Sequence, residues 1–382
     1  RDVAFRMDSN VIRIGHFGKP FNREDVESIC SVAETTKDST SIGRFGIGFK
    51  SVFTFTDCPE IHSGEEDFFI EDYIKPIKAP EVKRKHDETV ILIPFKQPVE
   101  PKYDIIRQKL EGLGPTPLLF LRQIENICWS IESGGSGRYH RKSKEVGSCI
   151  RRVTLIGEGD AKPDVNEEWL ILSRALDPEY GHVEIAFSID KDEESGRERI
   201  QRVERSMFTV FFPTVVETHL GFRIQGPYKT TPGRDSVLAD DPWNVKLVQE
   251  TASLLVDSLK RLKSRNLLDV EALLSLPIER TKFPEGSFFA PLFDAVRTAL
   301  ASHSLLPRAG GGWTAAKNAR LARTRELREL FDSKQLAALL DAPEEVHWLS
   351  GDITRDTAAA LRHYLLYELE VTELTAESIL SG

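Results

Sequence analysis

Three glycines stand within six residues in the run Ile42-Gly43-Arg44-Phe45-Gly46-Ile47-Gly48-Phe49-Lys50-Ser51-Val52-Phe53, directly ahead of residues that can open a helix. Glycine has no Cβ, so its backbone reaches positive φ angles and lets a bulky anion come close. The N–H groups at a helix start are unpaired and carry the positive end of the helix dipole, which suits a polyphosphate. The run therefore reads as a phosphate cradle, with an ordinary glycine-rich turn as the plain alternative. No strand-like segment enters the loop directly, as a dinucleotide fold requires, and the Gly-Lys-Ser/Thr ending of a P-loop is absent. The preceding Glu34-Thr35-Thr36-Lys37-Asp38-Ser39-Thr40-Ser41 is polar without apolar periodicity and reads as a lid.

A second segment with chemical potential is Phe222-Arg223-Ile224-Gln225-Gly226-Pro227-Tyr228-Lys229-Thr230-Thr231-Pro232-Gly233-Arg234-Asp235. A strand that ends in a Pro/Gly/Thr loop presents a guanidinium on its tip, where it can reach another domain's ligand. Arg234 is that guanidinium. Its alternative role is to shape the loop by pairing with Asp235, Asp240 or Asp241.

The elements that must position these groups follow from periodicity. Val11-Ile12-Arg13-Ile14 predicts a strand, Gly18-Lys19-Pro20 a turn, and Asn22 a cap for a helix with Val26, Ile29 and Ala33 on one face. Short strands are expected at 61–63, 68–70 and 89–95, a helix over 103–113 and a strand over 124–131. Ser133-Gly134-Gly135-Ser136-Gly137 reads as a loop or boundary. Strands follow at 152–156 and 168–172, and Val183, Ile185, Phe187 and Ile189 alternate as strand residues do. Residues 190–205 read as a solvated hairpin connection and 208–212 as a buried strand. Residues 245–265 predict a long amphipathic helix. Helices are expected at 291–302, 314–331, 333–340 and 356–369, interrupted by Gly310-Gly311-Gly312-Trp313. The fold class is α+β, divided as 1–146, 147–266 and 267–382.

Composition narrows the function. The 382 residues are 40% hydrophobic, enough for real cores, and 29% charged with a net charge of −9, which disfavours general binding to a phosphate backbone. The basic runs Lys83-Arg84-Lys85-His86 and Arg138-Tyr139-His140-Arg141-Lys142 read as solvated loop charges that touch an anion locally at most. Four cysteines, Cys30, Cys58, Cys128 and Cys149, show no metal-ligand spacing and suit a reducing cytoplasm, with Cys30 and Cys128 as buried small hydrophobes. The nine histidines form no zinc pattern, no Gly-x-Ser-x-Gly elbow occurs, and no apolar run approaches the roughly 18 residues of a membrane span. No metal ligand is assigned within the chain.

The order of an apolar strand, His16-Phe17-Gly18-Lys19-Pro20-Phe21, a short helix, a Lys-containing polar loop and the glycine run resembles sacsin-type members of the ATPase superfamily shared by gyrase B, heat-shock chaperones, histidine kinases and MutL. The resemblance implies a Bergerat-type α/β sandwich for ATP, incomplete at its N-terminus. A β-led middle domain and a helical extension would follow it. It implies ATP and Mg²⁺, with Gly18, Lys37, Gly43, Gly46, Ile47, Gly48, Phe49, Lys50 and Thr89 around the nucleotide and Arg234 at the γ-phosphate. The hydroxyl of Thr89 would lie beneath the adenine, unless Thr89 is simply a β-branched strand residue. A helix carrying a catalytic Glu and a Mg²⁺-binding Asn is expected upstream of Arg1, so the chain reads as a fragment of a longer ATPase. In place of the family's Asp just before Gly18 stands His16-Phe17. The implied activity is a chaperone-like, cytoplasmic conformational switch with a protein client and a homodimer among its partners, and the alternative is a catalytically inactive interaction module that keeps the fold. A DNA-directed ATPase conflicts with the negative charge. A histidine kinase lacks its phosphoacceptor helix.

Overall fold

The computed structural model describes residues 1–31, 48–160, 163–176, 181–192, 194–231 and 233–380. The chain begins with strands β1 (Asp2–Met7) and β2 (Val11–His16) and helix α1 (Arg23–Cys30), and a 3₁₀ turn covers Phe49–Thr54. Next come β3 (Glu60–Ser63), β4 (Glu66–Glu71), β5 (Lys75–Lys78), β6 (Thr89–Pro94) and α2 (Val99–Glu111). A strand-rich stretch follows: β7 (Asn126–Ile131), β8 (Ser136–Gly147), β9 (Ile150–Gly159), β10 (Val165–Ala175), β11 (His182–Lys191), β12 (Glu198–Gln201), β13 (Met207–Val210), β14 (Phe212–Glu217) and β15 (Arg223–Gln225). Helices α3 (Pro242–Ser264), α4 (Val270–Leu274) and α5 (Ala290–Ser302) lead into a tail that mixes short strands with the helices Arg325–Leu330, Ser333–Leu339 and Ala359–Tyr367.

Fifteen strands form one sheet in the order β14-β13-β15-β11-β10-β9-β8-β7-β1-β2-β6-β3-β4-β5, with β12 beside β11. The pairs β1–β7 and β13–β15 are parallel, and β1–β2, β2–β6 and β8–β9 are antiparallel. Side chains alternate between the faces of a strand. Trp169 and Ile171 of β10 join one core with Met7, Ile12, Ile127, Trp129, Tyr139, Val153 and Leu155, capped by Leu110 of α2 and by Leu118, Leu119 and Phe120. Their neighbours Leu170 and Leu172 join a second core with Ile150, Ile185, Phe187 and Leu247, Leu255 and Leu259 of α3. The covered face of the sheet thus changes along its width, and β9 to β11 are buried on both sides. A run such as Trp169-Leu170-Ile171-Leu172 suits that position, because a strand enclosed on both faces needs no polar alternation.

Local signals explain the helices. Asn22 accepts from the Asp25 N–H at 2.9 Å while the Asp25 carboxylate accepts from the Asn22 N–H at 3.1 Å, a capping box with Glu24 and Asp25 at the positive end of the dipole. Asp241 caps α3, and Pro242 occupies its first turn, where a missing N–H costs nothing. The helix expected over 103–113 starts earlier, at Val99.

Several expectations are corrected. Residues 314–331 are not one helix. Ala319–Ala322 is a strand paired in parallel with His347–Trp348 and Glu373–Leu374, a 3₁₀ turn covers Ala316–Asn318, and the α-helix is confined to Arg325–Leu330, capped by Thr324. Alanine and leucine favour a helix by propensity, and burial of Ala319 and Leu321 in a ladder outweighs it. The run 138–142 is no solvated loop, because it lies in β8 with Tyr139 and Arg141 buried. Arg84 is likewise held by Asp67, at 2.5 Å. Cys128 is only half-buried.

Gly221 shows how tightly the second core closes: its N–H donates to the Ser275 carbonyl at 2.8 Å, and a Cβ there would lie 2.5 Å from the Ser275 Cα. Gly221→Ala is expected to cost about 1–3 kcal/mol, the usual range for overpacking, as a lowered urea midpoint at unchanged m-value.

Candidate functional site

Strands β2, β6 and β3 lie side by side, and their register decides which residues share a face. His16 pairs with Thr89, Ile14 with Ile91, and Ile91 with Ile61. These residues, with Ser63, point to the face on which α1 and the 3₁₀ turn pack through Phe21, Val26, Ile29, Cys30, Phe49, Val52 and Phe53. The turn that closes the glycine string therefore stands over the face that carries His16 and Thr89.

At the polar end of this face the Thr89 hydroxyl is buried and lies 2.5 Å from the Ser63 Oγ, which also accepts from the Phe21 N–H at 3.0 Å. The sequence reading missed Ser63 and Phe21; a polar residue at an inward strand position beside Ile61 was the available signal. His16 is half-buried, and burial holds its imidazole below the ordinary histidine pKa, so it stays neutral at pH 7. A Cβ at Gly18 would sit 3.2 Å from the His16 Nδ1, so glycine there keeps the ring in place.

On the phosphate side, Lys37, Gly43, Gly46 and Ile47 lie outside the described residues. Gly48 has right-handed helical angles, φ −57° and ψ −45°, and a Cβ there would meet open space. Positive φ is not what glycine supplies at this position; clear approach is. Phe49 packs into the core under α1. Lys50 donates through Nζ to the Tyr73 carbonyl at 2.5 Å and lies 5.8 Å from the Phe53 ring, and burial lowers its ammonium pKa. Tyr73 and Asp72 form the β4–β5 hairpin tip with φ of 70° and 49°, unusual for non-glycine residues.

Arg234 occupies the loop after β15 with φ 58°. Its Nη2 donates to the carbonyls of Val210 and Phe212, each at 2.7 Å. The nearby carboxylates are held elsewhere, Asp235 by Thr231 and Asp241 by Lys229. Loop shaping by Arg234 thus runs through backbone carbonyls.

The opposite face of the same strands holds a second polar group. His62 is fully buried, with Nδ1 2.8 Å from Asp67 Oδ1 and Nε2 3.5 Å from Glu60, and Arg84 pairs with Asp67 and donates to the Gly64 carbonyl at 2.9 Å. Burial alone would raise the Asp67 pKa, but the hydrogen bonds from Arg84 and His62 outweigh it and leave it below the ordinary carboxylate value. A carboxylate with a lowered native pKa stabilises the fold above its unfolded pKa and loses that contribution as pH falls through the native one. Asp67→Asn is expected to be less stable than the parent at pH 7 and to converge on it below pH ~4 in urea unfolding across that range.

Comparison with known proteins adds a similarity over part of the chain. Residues 16–91 match the family model described as the sacsin domain. The chain is 27% identical over 277 residues to protein NO VEIN of Arabidopsis thaliana, covering 63% of this chain and 10% of that protein. It is 39% identical over 56 residues to human sacsin, covering 14% of this chain and 1% of that protein. It thus spans a small part of either relative. Among solved structures, the N-terminal domain of a DNA repair protein overlaps with a TM-score of 0.34 at 10% identity, covering 62% of this chain and 83% of that one. The ATPase domain of the Aquifex aeolicus mismatch repair endonuclease MutL overlaps with a TM-score of 0.26 at 12% identity, covering 60% and 83%. Both overlaps are loose. The sacsin-domain similarity thus covers residues 16–91, the segment that includes His16, the glycine string and Thr89.

Proposed function

We propose that this chain is the nucleotide-responsive part of an ATP-driven, chaperone-like conformational switch. The observation that carries the reading is that His16, Thr89 and the turn closing the glycine string share one sheet face inside the sacsin-domain residues. A neutral imidazole at His16, beside the Thr89 and Ser63 hydroxyls, would read the base through hydrogen bonds. An imidazole nitrogen can accept from an exocyclic amine as a carboxylate does.

The glycines Gly43, Gly46 and Gly48, with the backbone of Ile47 and Phe49, would offer N–H donors to the phosphates, and Lys37 would reach in from the lid. Lys50 would exchange the Tyr73 carbonyl for a phosphate oxygen. Arg234 would likewise leave the Val210 and Phe212 carbonyls to meet the γ-phosphate, where a guanidinium stabilises the charge spread over the transferring group. Among the described residues no group of three His, Cys, Asp or Glu side chains can hold a metal ion. Mg²⁺ would accompany the nucleotide and neutralise phosphate charge. Ordering of the 34–41 lid by the bound phosphates would then be the switched event. The division into 1–146, 147–266 and 267–382, a cytoplasmic setting, a homodimer and a protein client belong to the same proposal. No helix among the described residues is long and apolar enough to cross a membrane.

The rival reading, an interaction module without nucleotide chemistry, is favoured by the engagement of Arg234 with two carbonyls and by His16-Phe17 in place of an acid. Calorimetry of the full-length protein with Mg²⁺ and a non-hydrolysable ATP analogue separates the two. Binding is expected in the parent, with Gly46→Val weakening it roughly tenfold or more, because a branched side chain blocks backbone approach. Arg234→Ala is expected to bind within a few-fold of the parent and to lose about 100-fold or more in turnover. No binding by the parent protein would leave the interaction module.

A further inference from the structure

The sheet face that carries His16 and Thr89 continues across β1, β7 and β8 and ends in a buried patch of charge. Arg141 of β8, Arg151 of β9, Glu184 of β11 and Gln225 of β15 all point to this face, by register with Leu155, Ile171, Ser173 and Glu184 respectively. Arg122, from the segment before β7, reaches over them. Arg151 Nη1 and Arg122 Nη2 donate to the same oxygen of Glu184, at 2.6 and 2.5 Å. Arg141 donates to the carbonyls of Ile124 and Arg122, at 3.1 and 2.9 Å. Burial would raise the Glu184 pKa, but Arg151 and Arg122 hold it low, so it is ionised.

Three guanidinium groups thus stand against the Glu184 carboxylate, with the more exposed Glu125 also near Arg141, and positive charge is in excess. That excess is felt around it: burial and then Arg151 lower the pKa of Arg141, and burial and then Arg122 lower that of His182. The side chain of Arg151 is 7% exposed, yet among the described residues its Nε and Nη2 find no acceptor and the Gln225 Oε1 no donor. Enclosing an unpaired donor costs about 1–3 kcal/mol, more on a charged group. Nε–H and Nη2–H form one edge of the guanidinium, the side-on fork that matches two oxygens of an oxyanion. The Arg122 side chain, 43% exposed, is the solvent-facing member of the group.

We propose that Arg151 and Arg122 form a binding site for a small tetrahedral oxyanion of the phosphate class, with the Arg151 Nε–Nη2 fork as its main contact and Gln225 donating to it once its amide is turned over. The site is separate from the glycine string, and no part of the nucleotide reading is needed for it.

Calorimetric titration of the protein with inorganic phosphate, at fixed ionic strength set by chloride, tests the site in the parent and in Arg122→Gln, Arg151→Lys and Gly46→Val. Saturable binding is expected in the parent and in Gly46→Val, which disables only the glycine string. Arg122→Gln, changed at the exposed edge, is expected to weaken it roughly tenfold or more, the worth of a charge-assisted bond. Arg151→Lys keeps the charge but removes the fork and is expected to weaken it at least as much. Thermal unfolding without phosphate checks that both variants fold. Parent-like affinity in folded Arg122→Gln and Arg151→Lys, loss confined to Gly46→Val, or no saturable heat in the parent would each overturn the proposal.

Discussion

Burial of β9 to β11 on both faces is the constraint that the rest of the structure obeys. Ile150, Leu170, Phe187 and their partners face α3, while Val153, Trp169 and Ile171 face the core under α2, so neither half can close its core without strands shared with the other. Enclosure on both sides permits the unbroken apolar run of β10. It also makes buried polar side chains at these strands costly unless other polar groups receive them, as Glu184 receives the Nη1 of Arg151.

One consequence concerns how a ligand signal would travel. Because the ladder runs without a gap from β5 to β14, a swing of one half against the other would break backbone hydrogen bonds. The proposed switch therefore acts through segments outside the ladder, among them the β4–β5 hairpin tip that holds Lys50 and the loop that holds Arg234. Each of these two cations is engaged with backbone carbonyls, contacts that a phosphate oxygen can replace. The same face bears His16, Ser63 and Thr89 near one side of the sheet and the arginine patch toward the other, with apolar residues and α2 between them.

Local signals in the sequence were legible where they act alone. The apolar run 168–172 located β10, alternation located β11, the Asn22 cap located α1, and the apolar spacing of Leu247, Leu255 and Leu259 located α3. The order of His16, Gly18 and the glycine string was enough to point to the sacsin domain that residues 16–91 match, because it depends on backbone chemistry that few other residues supply. What was not legible depends on pairing between distant segments. The strand Ala319–Ala322 looks helical until its partners near residues 347 and 373 are known. Arg141 looks solvated until the carbonyls of Arg122 and Ile124 and the neighbouring Glu184 are brought to it by the sheet. Ser63 acquires meaning only when β3 and β6 place its hydroxyl against that of Thr89.

The central claim is that nucleotide sits on the face shared by His16, Thr89 and the 3₁₀ turn. Hydrogen–deuterium exchange of the full-length protein, with and without Mg²⁺ and a non-hydrolysable ATP analogue, tests it most directly. Slower exchange at residues 16–18, around 48–54 and at 89–90, with β12 and α5 unchanged, is the result the account predicts. Exchange unchanged at all three segments, or protection confined to other elements, would contradict it.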